Sequence, residues 1–287
     1  MRSDSPFSTL ISTAELAARL DDASFVIVDV RHDLAQPDSW GEAEYRRAHI
    51  PGARFAHMDR DLSAAKTGKN GRHPLPSVDS AAAFFGRLGI DASKQVIAYD
   101  QGPGTYAARL WWMLRWLGHR AVAVLDGGYA VWLREGRPVT AEVPSVVPAS
   151  FTARPTTPPV EVAAVAANLA SAAMLLVDAR GRERFRGDVE PIDKVAGHIP
   201  GSVNRPYTDN MTADGRFKPA AELRADFAAV MRDRAPTAVV HTCGSGVTAC
   251  HNLLAMEHAG LAGTRLYAGS WSEWSADPAR PIARGDT

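Results

Sequence analysis

Thr237-Ala238-Val239-Val240-His241-Thr242-Cys243-Gly244-Ser245-Gly246-Val247-Thr248-Ala249-Cys250 runs from a short apolar segment through a glycine-rich turn into the start of a helix. A short apolar run of this kind reads as a buried strand of a parallel sheet. Two glycines close behind Cys243 let the backbone turn sharply. Beyond them, residues 248–259 carry apolar side chains at three- and four-residue spacing, the pattern of a helix packed on a sheet. A strand that passes through a tight turn into a helix is the building unit of an α/β domain, whose ligands sit beyond the carboxyl ends of the strands.

The same alternation recurs on both sides. Residues 25–28, 95–99 and 121–125 are apolar runs, matched later by 174–177, 237–241 and 264–267. Residues 80–88, 106–117 and 220–231 have helical spacing. Three blocks also return in order. Val28-Asp29-Val30-Arg31 reappears as Val177-Asp178-Ala179-Arg180, and Ala48-His49-Ile50-Pro51-Gly52-Ala53 as Gly197-His198-Ile199-Pro200-Gly201-Ser202, both 149 residues on. Leu125-Asp126-Gly127-Gly128-Tyr129-Ala130-Val131-Trp132 reappears as Tyr267-Ala268-Gly269-Ser270-Trp271-Ser272-Glu273-Trp274, 142 residues on. A repeat this long is a duplicated domain, because solenoid units run to only about 20–50 residues. Between the copies, Pro138, Pro144, Pro148, Pro155, Pro158 and Pro159 favour extended chain. The expected organisation is an N-terminal domain at 1–145, a linker at 146–154 and a C-terminal domain at 155–287, each α/β with a mainly parallel sheet flanked by helices.

Composition narrows the function classes. Across 287 residues, 32 Lys and Arg balance 32 Asp and Glu, so bulk charge points to neither nucleic acid nor a membrane surface. No apolar stretch approaches the roughly 18 residues of a spanning helix, and the first residues show no secretory signal, so a cytoplasmic protein is expected. Cys243 and Cys250 form neither a disulfide framework nor a CxxC pair, and the His and Cys positions have no metal-ligand spacing.

In a reducing compartment a cysteine in an unusual setting reads as chemistry. The turn after Cys243 can aim successive N–H groups of Gly244, Ser245, Gly246, Val247 and Thr248 inward, and the helix start adds positive potential. A sulfur held there is a nucleophile whose persulfide the same groups can cradle; the alternative is a packed thiol in a tight turn. Cys250, inside the helix, reads as core. A phosphatase loop needs an arginine six positions after its cysteine, where this chain has Ala249.

The loop Cys243-Gly244-Ser245-Gly246-Val247-Thr248-Ala249 resembles the active-site loop of the rhodanese superfamily of sulfurtransferases, in particular its 3-mercaptopyruvate branch. Both His-Ile-Pro-Gly blocks, Arg109-Leu110-Trp111-Trp112, and Gly269-Ser270-Trp271 with Glu273 and Trp274 extend the resemblance over nearly the whole chain. It implies tandem rhodanese domains and an enzyme that moves sulfur from 3-mercaptopyruvate through a Cys243 persulfide to cyanide, a thiol or a thioredoxin-like protein. No metal or organic cofactor is implied. Thiosulfate as donor, or a persulfide carrier loaded by a partner protein, are the alternatives. Aligning the copies at the 142-residue spacing sets Gln101 against Cys243, so the first domain is expected to lack the nucleophile.

The resemblance also assigns roles. Arg184, directly before Phe185, is the expected substrate arginine, in preference to Arg182 and Arg186. A relay of Ser245, His49 and Asp38, with Asp38 eleven residues before His49, is expected to act on the donor. One element is missing. A second substrate arginine belongs a few residues before the second His-Ile-Pro-Gly block, where this chain has Ile192-Asp193-Lys194, and lysine cannot offer the planar fork of arginine.

Overall fold

The computed structural model describes residues 7–286. The chain divides into two compact units: Met1–Ala64, Pro76–Thr156 and Ala213–Arg216 form unit 1, and Ala65–Leu75, Thr157–Thr212 and Phe217–Thr287 form unit 2.

Unit 1 contains β1 (Leu10–Ile11), α1 (Thr13–Ala17), β2 (Phe25–Asp29), α2 (Trp40–Arg47), β3 (Arg54–Phe55), α3 (Val78–Arg87), β4 (Gln95–Tyr99), α4 (Thr105–Trp116), β5 (Val122–Leu125) and α5 (Gly128–Arg134). Its five strands lie in the order β1-β5-β4-β2-β3, all parallel. Unit 2 contains α6 (Val162–Ser171), β6 (Leu175–Asp178), α7 (Arg182–Arg186), β7 (Val203–Asn204), α8 (Ala220–Met231), β8 (Val239–Thr242), α9 (Thr248–His258), β9 (Arg265–Leu266) and α10 (Ser270–Trp274). Its four strands run β7-β6-β8-β9, again all parallel. The predicted α/β class and the predicted strands and helices are therefore present. The two-residue strands β1, β3 and β7 are too short to carry a periodic signal in the sequence. Among the described residues, no helix is long and apolar enough to cross a membrane.

The three repeated blocks recur because they meet in one buried knot in each unit. At the end of β2, Asp29 accepts from Arg31 Nε, while Arg31 Nη2 donates to the carbonyl of Ala48, the residue before His49. At the end of β6, Arg180 does the same to Asp178 and to the carbonyl of Gly197, the residue before His198. Each guanidinium then stacks on an aromatic ring of the third block: Arg31 lies 4.2 Å from the Tyr129 centroid, and Arg180 lies 5.0 Å from that of Trp271. The indoles of Trp132 and Trp274 donate to Pro138 O and Pro281 O, and the chain beyond pairs with His49 and His198 through antiparallel bridges at Thr140 and Ala283. A buried ion pair of this kind contributes little net stability, but removing one partner costs about 3–5 kcal/mol because the other charge is stranded. That penalty gives each member of the knot a reason to be present in both copies.

The segment 146–154, read as a linker, lies within unit 1. The Ala149 and Arg154 amides donate to Gly86 O and Leu117 O at 2.9 and 2.8 Å, so the proline-rich chain is fastened to this unit as an extended strap. Conversely, Ala65–Leu75, which precedes that strap by some seventy residues in the sequence, is part of unit 2.

Unit 2 carries a pH-dependent element beside its cup. His241, on β8, is fully buried, and burial together with the Arg205 charge pushes its pKa from 6.5 down to about 3. The unfolded chain takes up this proton as pH falls through about 6.5 while the folded protein refuses it, so stability is fully present above that value and is lost towards about pH 3. The melting temperature should therefore decline steadily from pH 7 to 4. His241→Gln should flatten the decline without abolishing it, because burial also lowers His119, His198 and His258. Parallel profiles for the two proteins would show that His241 is not the group responsible.

Candidate active site

Cys243 follows the last residue of β8 directly and sits at the carboxyl end of the sheet, separated from α9 by the four residues Gly244 to Val247. Its thiol is almost fully buried, at 1% exposure, and the Gly246 N–H donates to Sγ at 3.1 Å. The loop can close this way only with glycine at 246. The backbone there has φ +74°, and a Cβ would fall on the backbone carbonyl of Ala268. The other wall is α10 and the residue that starts it. Ser270 Oγ accepts from the Cys243 N–H at 3.1 Å and donates to Tyr267 O at 2.9 Å, and Trp271 N–H and Ser272 N–H donate to Cys243 O and Gly244 O. Each polar group of the turn that has been named is thus satisfied from the neighbouring element, which holds the sulfur at the start of an eleven-residue helix. Cys250 Sγ, in the first turn of α9, donates to Gly246 O at 3.2 Å and is fully buried, as expected of core.

Unit 1 holds an anion at the corresponding place in its own strand–loop–helix. Val30 N–H donates to Tyr99 O as Ala179 N–H donates to Thr242 O, and Tyr129 N–H donates to Asp100 O as Trp271 N–H donates to Cys243 O. The residue equivalent to Cys243 is therefore Asp100, and the expected match to Gln101 is corrected by one position. The 142-residue spacing holds for the third block but not upstream of it, because the path from the cup to that block is one residue longer in unit 1. The buried Asp100 carboxylate accepts from the N–H groups of Gly102, Gly104, Tyr106 and Ala107 at 3.0, 3.0, 2.8 and 3.3 Å. Burial raises its pKa, against the pull of those four donors. The loop at the end of this strand thus accommodates an anion, and in unit 2 the atom at that place is a sulfur.

Around Cys243 the structure collects charge. Arg180 is buried, satisfied by Asp178, Glu190 and Gly197 O, and its pKa is raised: burial acts to lower it, but Asp178, Glu190 and Cys243 more than offset that. Arg184, in the last turn of α7, reaches Glu190 at 2.7 Å and Asp193 at 3.2 Å through Nη2. Burial pushes the Glu190 carboxyl up, but the Asp193 amide, the Arg184 guanidinium and the Ile192 amide together hold it below the usual carboxylate range. Arg182 and Arg186 turn to Asp209 and Asp188 at the exposed surface, and Lys194 is exposed. Of the three arginines weighed from the sequence, Arg184 stands beside the cysteine loop: its Nη2 is 3.6 Å from where a Gly244 side chain would begin.

The partner of Ser245 differs from expectation. His73 Nδ1 lies 2.8 Å from Ser245 Oγ, both side chains being buried. His49 is occupied elsewhere, with Nδ1 and Nε2 at 2.7 and 3.0 Å from the carbonyl oxygens of Tyr45 and Glu142 and its ring stacked on Tyr45. His198 repeats this arrangement with the Phe185 carbonyl and ring. Both histidines cap the end of a preceding helix, so the relay role expected of His49 is corrected. Asp38, exposed in the turn before α2, forms no pair with a histidine whose two ring nitrogens already face carbonyls. His73 has no role assigned from the sequence. Its nearness to Ser245 is a tertiary fact, and the only local signal is a histidine between Arg72 and two prolines.

A buried thiol that accepts from a loop N–H just ahead of a helix, beside a Ser–His pair and guanidinium groups, is equipped for group transfer through a covalent cysteine intermediate. The chain belongs to the rhodanese family, with residues 12–135 and 161–277 each matching the rhodanese-like domain. It is 47% identical over 280 residues to the probable 3-mercaptopyruvate sulfurtransferase of Pseudomonas aeruginosa, covering 96% of this chain and 98% of that protein. It is 39% identical over 279 residues to the putative thiosulfate sulfurtransferase SseB of Mycobacterium tuberculosis, covering 96% and 97%. Its fold matches that of SseA from Escherichia coli, a 3-mercaptopyruvate sulfotransferase of rhodanese fold, with a TM-score of 0.80 and 32% identity over 92% of this chain and 99% of that one.

Proposed function

We propose that this sulfurtransferase takes sulfur from 3-mercaptopyruvate onto Cys243 and passes it to a thiophilic acceptor such as cyanide, a small thiol or a thioredoxin-like protein. The Cys243 thiolate attacks the donor sulfur, the donor C–S bond breaks, and its electron pair leaves on the carbon fragment as the enolate of pyruvate. That enolate takes one proton and departs as pyruvate, leaving the persulfide on Cys243. The acceptor then attacks the outer sulfur and restores the thiolate. No external oxidant or reductant is needed.

The observation that carries the choice of donor is the hydrogen bond between His73 and Ser245, one residue from Gly244 and two from the nucleophile. A hydroxyl oriented by a histidine is of use where charge develops on a carbonyl oxygen. Mercaptopyruvate leaves through such an oxygen, whereas thiosulfate leaves as sulfite and requires no proton. Arg184, beside the loop, supplies positive charge for the donor carboxylate.

The test is cyanide-dependent thiocyanate formation with the two donors run in parallel over a concentration series. Mercaptopyruvate should exceed thiosulfate in kcat/KM by at least about tenfold. A ratio that favours thiosulfate would reassign the donor. Absence of turnover with both would move the function to a persulfide carrier loaded by a protein partner.

A further inference from the structure

The second arginine that segment 188–194 lacks has a substitute from a distant part of the sequence. Resting on the mercaptopyruvate reading above, we infer that Arg72 is a donor-binding residue that, with Arg184, clamps the substrate carboxylate against the Cys243 loop.

Arg72 belongs to the Ala65–Leu75 segment of unit 2. Its backbone is fastened on both sides. Gly71, at φ +84°, packs so closely on Gly269 that a Cβ would lie 2.9 Å from the Gly269 carbonyl oxygen. The Arg72 N–H donates to Ser272 Oγ at 2.9 Å, and the next residue is His73, on Ser245. The side chain is likewise directed: Nη1 donates to Asp193 Oδ1 at 2.5 Å. Nη2 then stands 2.9 Å from the point where a side chain at Gly244 would begin, with Arg184 Nη2 at 3.6 Å from the same point. Glycine directly after the cysteine keeps a side chain out of this space, and two guanidinium groups from other segments border it together with Asp193 Oδ2 at 3.7 Å, the carboxylate that both of them engage. Arg72 Nε is buried and finds no acceptor in the protein, so the planar fork keeps a donor for a ligand.

Charge leads to the same residue. Asp178, Glu190 and Asp193 place three carboxylates beside the cup, and Arg180, Arg184 and Arg72 are the cations paired with them there. Without Arg72 this rim carries net negative charge towards an anionic donor. Asp193, which accepts from both guanidinium groups, acts as a positioning residue that sets them side by side.

Pyruvate, the carboxylate product, serves as the binding probe, so that recognition is read separately from turnover. Isothermal titration with pyruvate and steady-state kinetics with mercaptopyruvate would be run on wild type, Arg72→Ala and Arg72→Lys, with circular dichroism and melting temperature as folding controls. The expected result is a rise of at least about tenfold in pyruvate Kd and mercaptopyruvate KM for Arg72→Ala, a smaller rise for Arg72→Lys, and a kcat changed by less than about threefold. If the alanine variant fails to fold, the lysine variant carries the comparison. Wild-type pyruvate affinity in a folded Arg72 variant would overturn the inference, as would wild-type enzyme that does not bind pyruvate. Binding that depends on Arg72 in an enzyme with no mercaptopyruvate turnover would leave Arg72 in place and overturn the choice of donor.

Discussion

Replacing Cys243 with serine is expected to lower thiocyanate formation by at least about a thousandfold with either donor, since loss of a covalent nucleophile removes the entire route through the intermediate. The substitution changes one atom and keeps the contacts of the loop: the Gly246 N–H still has an oxygen to face, and the Ser270 hydroxyl still receives the backbone N–H of residue 243. Stability should therefore stay near that of wild type. The chemistry does not survive, because an alkoxide is far less available than a thiolate at neutral pH and oxygen forms no stable persulfide equivalent. Intact-mass spectrometry provides the direct readout. Wild type treated with donor and no acceptor should gain about 32 Da, one sulfur atom, and lose it on addition of cyanide, whereas Cys243→Ser should do neither. A serine variant that retained turnover, or a mass gain mapped to Cys250, would remove Cys243 from its assigned role.

The second large effect separates the two histidines. His73→Gln should lower kcat with mercaptopyruvate by about a hundredfold, in the range of lost general acid–base assistance, while kcat with thiosulfate should change by less than about threefold, as sulfite leaves without a proton. His49→Gln should act on stability instead. It loses buried hydrogen bonds to Tyr45 O or Glu142 O and the stacking on Tyr45, at a cost of about 1–3 kcal/mol, seen as a lower melting temperature. Its kcat with mercaptopyruvate should stay within about threefold of wild type. An equally deep loss of mercaptopyruvate turnover in both variants would show that the Ser245–His73 contact is not the distinguishing element.

Asp100 shows why one copy of a duplicated domain can lose its chemistry and keep its architecture. In unit 2 the cup has glycine at 244 and 246 and a sulfur at its mouth, ready to accept and release a second sulfur. In unit 1 a carboxylate from the equivalent position occupies four amide donors permanently. The strand–loop–helix is common to both, but the loop of unit 1 closes four amides on a carboxylate, whereas in unit 2 the Gly246 N–H donates to a sulfur.

The preference for Arg184 over its two neighbours came from the family resemblance, whereas the sequence by itself determined the α/β class, the duplication and the strand–turn–helix around Cys243. Those features are local: they follow from hydrophobic period, from glycine in a tight turn, and from short blocks whose members bond to one another or to the residue just before the next block. Only the tertiary structure decided the rest. That His73 and not His49 meets Ser245, that Asp100 and not Gln101 stands where Cys243 stands, and that Arg72 approaches Gly244 are contacts between residues far apart in the chain. No periodicity encodes such pairs, because they depend on loop lengths and on which unit a segment such as Ala65–Leu75 packs into. A one-residue difference in a connection shifts the alignment of the copies at the cup, and a histidine in a repeated block can look catalytic until both of its ring nitrogens are seen to face backbone carbonyls.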